Sequence, residues 1–216
     1  MMATKPVGDS RSSRSPDWVA ASLAGGFVVL LMATEVVLSL PDETASAVSV
    51  AAFYSAHRTF IIVLQLLGFG ASALLGGYAW RLRRIDRVVS SAGIVTAVSS
   101  LLPGLITLAI AVVVDPTNPA PASRWNQLEP RADDFLFVGI LLFAAAVTVR
   151  LGRSLPALGV LALLVAVGCL TRLGLEAAGV GRGPIDAIVP LSFLILTAVM
   201  AVLSLLGVLR PPVPRT

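Results

Sequence analysis

The chain has 216 residues, of which 56% are hydrophobic and only 13% are charged, and its formal net charge is +4. Soluble domains carry about 25% charged residues on average, so this composition excludes a soluble globular enzyme and a disordered chain. A single Cys excludes a disulfide framework, and one Cys with one His excludes a structural zinc site. The sequence therefore predicts an all-α, polytopic membrane protein.

Six apolar segments follow one another along the chain, each near the length of about 20 residues that crosses a bilayer. They cover residues of about 18–40, 53–80, 88–114, 135–151, 156–177 and 187–209. Each is apolar on all faces, as a helix in lipid should be, and none alternates with the two-residue period of a membrane strand. A backbone in hydrocarbon must satisfy its own hydrogen bonds, which predicts a six-transmembrane-helix bundle over residues 17–210.

The connections and the ends of the chain fit this count. Residues 81–87 form a basic turn, and residues 153–156 and 179–184 are further short turns. Residues 115–134 contain four prolines, so we expect this longest connection to be irregular. Residues 1–16 and 211–216 are short polar ends, predicted to be a flexible cytoplasmic N-terminus and a cytoplasmic tail.

The distribution of Lys and Arg predicts the orientation. Eleven of the 16 lie on the side that holds both termini, and five lie on the other side. The positive-inside rule then predicts an N-in/C-in bundle. The match to a signal-peptidase site at residues 45–47 raises the alternative that the first segment is cleaved. That segment is longer than the apolar core of about 7–15 residues of a signal peptide, and Glu35 interrupts it, which favours a retained span.

Several ionisable residues lie within or beside the predicted outer ends of the spans. Glu35 is about 8 Å below the end of the first span, where a carboxylate is costly unless it is paired, protonated or within reach of the headgroups. The first two spans are joined by a short connection, so we predict Arg58 or His57 as the partner of Glu35. Arg172 and Glu176 are four residues apart and share a helix face, which predicts that Glu176 is the main partner of Arg172. Two interpretations stay open: these groups are ordinary wet helix ends, or they form the ion-paired floor of an outward-facing vestibule that binds a ligand.

Polar residues also occur near the middle of two spans. Gln65 lies in the second span, and Ser99 and Ser100 lie in the third, directly before Pro103. Pro103 removes one backbone hydrogen bond, so we predict a kink there, with Ser99 or Ser100 near the freed carbonyl. Such a break is either a bend alone or a hinge that lines a ligand site.

Motif tests identify no catalytic residue, metal site or cofactor. The chain has no phosphate-binding loop, no HExxH motif and no paired-carboxylate metal motif. Its only Lys is Lys5, which is too near the N-terminus for a retinal Schiff base, and its single His excludes bis-histidine haem ligation. Nothing indicates nucleic-acid binding.

Residues 53–84 carry a sequence resemblance. An aromatic-x-x-x-His-Arg motif at Tyr54, His57 and Arg58 precedes an apolar helix and the basic turn that begins at Arg81. This arrangement resembles uncharacterised six-helix integral membrane proteins of high-GC actinobacteria. The resemblance covers about a third of the chain and implies the six-helix architecture without implying an activity.

The functional expectation is correspondingly broad. The basic residues are 15 Arg and 1 Lys, which suggests a high-GC bacterial genome and a plasma-membrane location. We expect a non-enzymatic multi-pass protein: a small transporter, a lipid-binding protein or an accessory subunit. Its expected partners are the lipid bilayer and either further copies of itself or another membrane subunit. The alternative is a membrane-embedded enzyme that uses the outer-layer carboxylates.

Overall fold

A computed structural model describes residues 16–35, 40–41, 44–180 and 183–209. Of these residues 82% are helical, and none of them lies in a β-strand. The eight helices are α1 (Trp18–Glu35), α2 (Ala47–Leu82), α3 (Arg87–Ser99), α4 (Leu101–Val113), α5 (Ala120–Asn126), α6 (Glu129–Leu151), α7 (Pro156–Ala177) and α8 (Ile185–Leu205). The prediction of an all-α chain is confirmed for the described residues.

Five helical segments are long and apolar enough to cross a membrane. They are α2, α3 together with α4, α5 together with α6, α7, and α8. The first helix, α1, is also apolar, but it is described over a shorter length than the other five. These segments suit a multi-pass membrane bundle, whereas the six-span count and the N-in/C-in orientation stay predictions.

The proline-rich connection is more ordered than its composition predicted. Residues 115–134 contain the whole of α5 and the first turns of α6, so the expectation of an irregular loop is wrong. Pro121 and Pro130 each lie in the first turn of their helix. A backbone N–H in a first turn has no partner within the helix, so proline costs little there and its fixed φ favours the helical start.

The long helices are arranged as a closed ring. Going round it, α1 contacts α2, α2 contacts α3 and α4, these contact α6, α6 contacts α7, α7 contacts α8, and α8 contacts α1. One end of the ring carries the arginines of the turns at residues 81–87 and 150–153, and we call it the basic end. The opposite end carries Glu129, Asp133, Asp134 and Asp186, and we call it the acidic end.

Small residues allow close approach between ring neighbours. Thr96 of α3 donates a 2.7 Å hydrogen bond from Oγ1 to the carbonyl oxygen of Gly139 on α6. A Cβ at Gly139 would lie 2.9 Å from the Cα of Thr96, so glycine is required at this crossing. Gly152 and Gly159 meet in the same way between α6 and α7. Close backbone packing of this kind holds helices together in lipid, where apolar burial gives little driving force.

Ion pairs join the helices at the basic end. Arg81 donates to Asp17 at 2.8 Å, and Arg150 donates to Asp86 at 2.8 Å. Asp86 is also the N-cap of α3 and accepts hydrogen bonds from the backbone N–H groups of Val88 and Val89. Burial alone would raise the pKa of Asp86, but these backbone bonds and Arg150 hold it below its usual value. Asp86 therefore stays charged and fixes the turn between α2 and α3.

Candidate functional site

A cavity of about 360 Å³ lies inside the ring. Five helices, α1, α2, α4, α6 and α8, form most of its wall. Most of the lining side chains are apolar. The apolar lining includes Phe27, Leu31, Ile61, Leu64, Phe69, Leu75, Leu136, Phe137, Ile140, Phe193 and Leu194. Its lining extends to Glu129 and Asp186, which belong to the acidic end.

Aromatic packing closes the cavity towards the basic end. Phe193 of α8 makes edge-to-face contacts with Phe27 of α1 at 6.0 Å and with Phe143 of α6 at 6.1 Å between ring centroids. Phe143 and Phe193 are buried within the main hydrophobic core. Offset and edge-to-face aromatic pairs are favourable and rigid, so they give the cavity a fixed apolar floor.

The third apolar segment is interrupted where it meets the cavity. The helix ends at Ser99 and resumes at Leu101, three residues before the cavity-lining Gly104. Ser100 Oγ donates to the carbonyl oxygen of Ala97 at 2.8 Å and lies 2.7 Å from Ser72 Oγ on α2. The helix is thus interrupted close to Pro103, and Ser100, Pro103 and Ser72 all line the cavity, whereas the predicted kink stays a prediction. Ser99 is partly buried and is not part of the lining.

Gln65 contributes a polar group to the apolar wall. It lies on α2 and lines the cavity beside Gly104 of α4. A Cβ at Gly104 would lie 2.9 Å from Gln65 Oε1 and 2.9 Å from Phe69 Cε1, so glycine allows α2 and α4 to meet here. A side-chain amide both donates and accepts hydrogen bonds, so Gln65 is suited to hold a polar group of a ligand.

Three carboxylates line the acidic end of the cavity. They are Glu129 and Asp133 of α6 and Asp186 of α8, and none of the described residues that line the cavity is basic. Sequence reasoning did not identify Glu129, Asp133 and Asp186 as a group that faces a cavity. The shared location depends on the ring order of the helices, which no local sequence pattern encodes.

Arg172 lies behind these carboxylates and is fully buried. Its guanidinium bonds Asp134 of α6 through Nη1, and it donates from Nε to Asp186 of α8 at 3.1 Å. The guanidinium also stacks on Phe137, 3.9 Å from the ring centroid. A planar guanidinium can bond two carboxylates and an aromatic face at once, which a lysine cannot do. Arg172 thus clamps α6, α7 and α8 together, with Asp186 and Phe137 exposed to the cavity.

The predicted partner of Arg172 is wrong. Its ion pairs connect α7 to Asp134 and Asp186 on the neighbouring helices, instead of to Glu176 one turn along its own helix. Exposed pairs four residues apart contribute only about 0.5 kcal/mol. A buried cation needs full compensation, which two carboxylates from other helices supply.

Three members of the predicted outer cluster, His57, Arg58 and Glu176, are not part of the cavity lining. His57 and Arg58 are exposed on the first part of α2, and His57 Nδ1 lies 3.0 Å from the carbonyl oxygen of Phe53. Arg58 donates to the carbonyl oxygen of Val112 at 2.5 Å, near the end of α4. The side chain of Glu35 lies outside the described part of the structure, so its pairing with Arg58 or His57 stays a prediction.

The length of α2 explains the exposure of His57 and Arg58. From Leu82 back to His57 the helix rises by about 37 Å, which exceeds the hydrocarbon thickness of about 30 Å. Tyr54, the first residue of the motif that carried the sequence resemblance, is buried instead and packs edge-on against Phe53. The motif therefore lies in the part of α2 that extends beyond the hydrocarbon layer of the bilayer.

Comparison with protein-family models, with curated proteins and with solved structures finds no match to this chain.

Proposed function

We propose that this chain is an integral protein of the plasma membrane that binds a small, positively charged amphiphile in the cavity inside the ring. The observation that carries this proposal is the two-part lining: apolar and aromatic walls, then three carboxylates at one end, with no basic side chain among the described lining residues. The volume of the cavity is within the range of about 300–1,000 Å³ that is usual for small-molecule sites. The apolar part of a ligand fits the walls, and its ammonium group fits the acidic end.

The interrupted third span extends this proposal to transport. Discontinuous helices commonly line the substrate sites of transporters, because their unsatisfied backbone groups are available to a substrate. Here the break at Ser100 lines the cavity together with Pro103. The enzyme alternative would use the same three lining carboxylates, of which Asp186 is already bonded to Arg172.

Native mass spectrometry of the gently extracted protein tests the binding step. The probes are decylamine and decanoate, which have the same chain length and opposite charge. We expect decylamine to remain bound and decanoate not to. Asp133→Asn should weaken decylamine binding about tenfold, the effect of one charge-assisted hydrogen bond of about 1.5 kcal/mol. Asp115→Asn is the matched control, because Asp115 is an exposed carboxylate of the α4–α5 connection outside the lining.

A second pair of variants separates the cavity from the lipid-facing surface. Leu64 lines the cavity, whereas Leu66 on the same helix is 58% exposed and outside the lining. Leu64→Trp should fill part of the cavity and abolish decylamine binding, and Leu66→Trp should leave it unchanged. Equal binding of the amine and the acid, or equal effects of the two tryptophans, would contradict a charged-amphiphile site in the cavity.

A further inference from the structure

A second concave surface lies at the basic end, on the outside of the ring between α2 and α3. Its polar lining consists of Arg83, Arg84, Arg87, Ser90 and Ser91. The three arginines are exposed, and within the described residues none of them forms an ion pair. Arg81 and Arg150 of the same end are paired with Asp17 and Asp86. Among the described residues, the surface therefore brings together three exposed guanidinium groups outside ion pairs, beside two serine hydroxyls.

Trp80 fixes the orientation of the Arg83 guanidinium on this surface. It is 53% exposed, and the guanidinium of Arg83 lies over its ring, 3.8 Å from the centroid. Stacking restricts the guanidinium plane while its N–H groups at the edge stay free to bond an anion. Exposed tryptophans next to the end of an apolar helix are typical of the membrane–water interface. The concave surface thus lies at the depth of lipid headgroups.

An apolar path leads from the arginines along α3. Arg87, Ser91, Ile94 and Val98 follow at spacings of four, three and four residues, so they share one helix face. Ile94 completes the lining of the concave surface, and Val98 is 59% exposed one turn further along. A ligand held by the arginines would therefore place an attached hydrocarbon chain on Ile94 and Val98.

We infer that this surface is a binding site for an anionic phospholipid, with its phosphodiester on Arg83, Arg84 and Arg87 and an acyl chain along α3. Guanidinium groups bond phosphate oxygens in a planar, bidentate geometry. Basic pockets between transmembrane helices favour anionic headgroups, at about 1 kcal/mol for each Arg near the surface. The apolar path distinguishes a lipid from free phosphate, which would use the arginines alone.

The experiment measures lipid retention by native mass spectrometry after extraction from nanodiscs of equal phosphatidylglycerol and phosphatidylcholine. We expect phosphatidylglycerol to be enriched on the protein. Arg87→Gln should reduce the enrichment about fivefold, and Arg84→Gln/Arg87→Gln about 25-fold, as 1 kcal/mol for each arginine implies. Arg153→Gln, an exposed arginine of the same end outside the groove, should leave the enrichment unchanged.

Competition then separates the lipid from its headgroup. Dioctanoyl phosphatidylglycerol should displace the bound lipid, and glycerol 3-phosphate at the same concentration should not. Ile94→Gln should weaken retention, because it makes the path of the acyl chain polar. Displacement by glycerol 3-phosphate would show a phosphate site without a lipid requirement, and equal losses in Arg87→Gln and Arg153→Gln would show only general attraction to charge. Either result overturns the inference.

Discussion

At the scale of single residues, Arg172 shows how a charge is accommodated inside an apolar bundle. It lies about 24 Å along α7 from Pro156, within the thickness of the hydrocarbon layer. Its carboxylate partners lie near the N-terminal ends of α6 and α8, and Arg172 itself lies near the C-terminal end of α7. Asp186 lies in the first turn of α8, where the helix dipole favours a carboxylate, whereas Asp134 and Arg172 lie more than one turn from their helix ends.

Replacing Arg172 by Met should leave Asp134 and Asp186 without their shared cation. Removing one member of a buried ion pair costs about 3–5 kcal/mol. Both carboxylates are partly exposed, so we expect the lower value of about 3 kcal/mol in the free energy of unfolding, measured by denaturant titration in mild micelles. The triple variant Arg172→Met/Asp134→Asn/Asp186→Asn should recover most of the loss. A triple variant as unstable as the single one would show that the aromatic stacking on Phe137, and not charge pairing, holds the helices.

The same residue shows the limit of local sequence reasoning. The spacing of Arg172 and Glu176 correctly places both on one helix face, but that spacing says nothing about which helices lie opposite. Once α6 and α8 flank α7, two carboxylates are available at hydrogen-bond distance, and they outcompete a partner on the same helix. Pairing inside a bundle depends on helix order, which is a property of the whole fold.

At the scale of elements, the break between α3 and α4 was predictable because its cause is covalent. Pro103 has no N–H to bond the carbonyl of Ser99, and its ring clashes with that carbonyl in a straight helix. The prolines of residues 115–134 led to the wrong prediction of an irregular loop, since proline favours the first turn of a helix as readily as a loop. The cavity beside the break had no local signal, because a void results from how five helices fit together.

Experiment can separate two causes of the break: the missing N–H of Pro103 and the contact between Ser72 and Ser100. Pro103→Ala restores the missing N–H, which adds a backbone hydrogen bond of about 1 kcal/mol. Amide hydrogen exchange at residues 100–102 should then slow by about fivefold. Ser72→Ala removes the 2.7 Å contact with Ser100 but keeps the proline, so it should leave exchange there unchanged or faster. Slower exchange in Ser72→Ala, with no change in Pro103→Ala, would assign the break to the serine pair.

At the scale of the whole molecule, the two ends of the ring differ in chemistry. Ion pairs join the helices at the basic end, and aromatic side chains pack between that end and the cavity. The acidic end contains the three carboxylates of the cavity lining. The acidic end thus combines the cavity-lining carboxylates with the Arg172 ion pairs that hold α6, α7 and α8 together. The positive-inside rule predicts the basic end in the cytoplasm, so the acidic end of the cavity would face outward and the arginine groove would face the cytoplasmic leaflet.

Cysteine labelling tests this orientation. Cys169 is the only Cys and is buried, so Cys169→Ala gives a background in which single cysteines can be placed. Asn118 is exposed in the connection at the acidic end, and Ser154 is exposed in the turn at the basic end. A membrane-impermeant maleimide should modify Asn118→Cys in intact cells and Ser154→Cys only after permeabilisation. The reverse pattern would place the basic end outside. The cavity would then take its ligand from the cytoplasm, and the arginine groove would bind lipid of the outer leaflet.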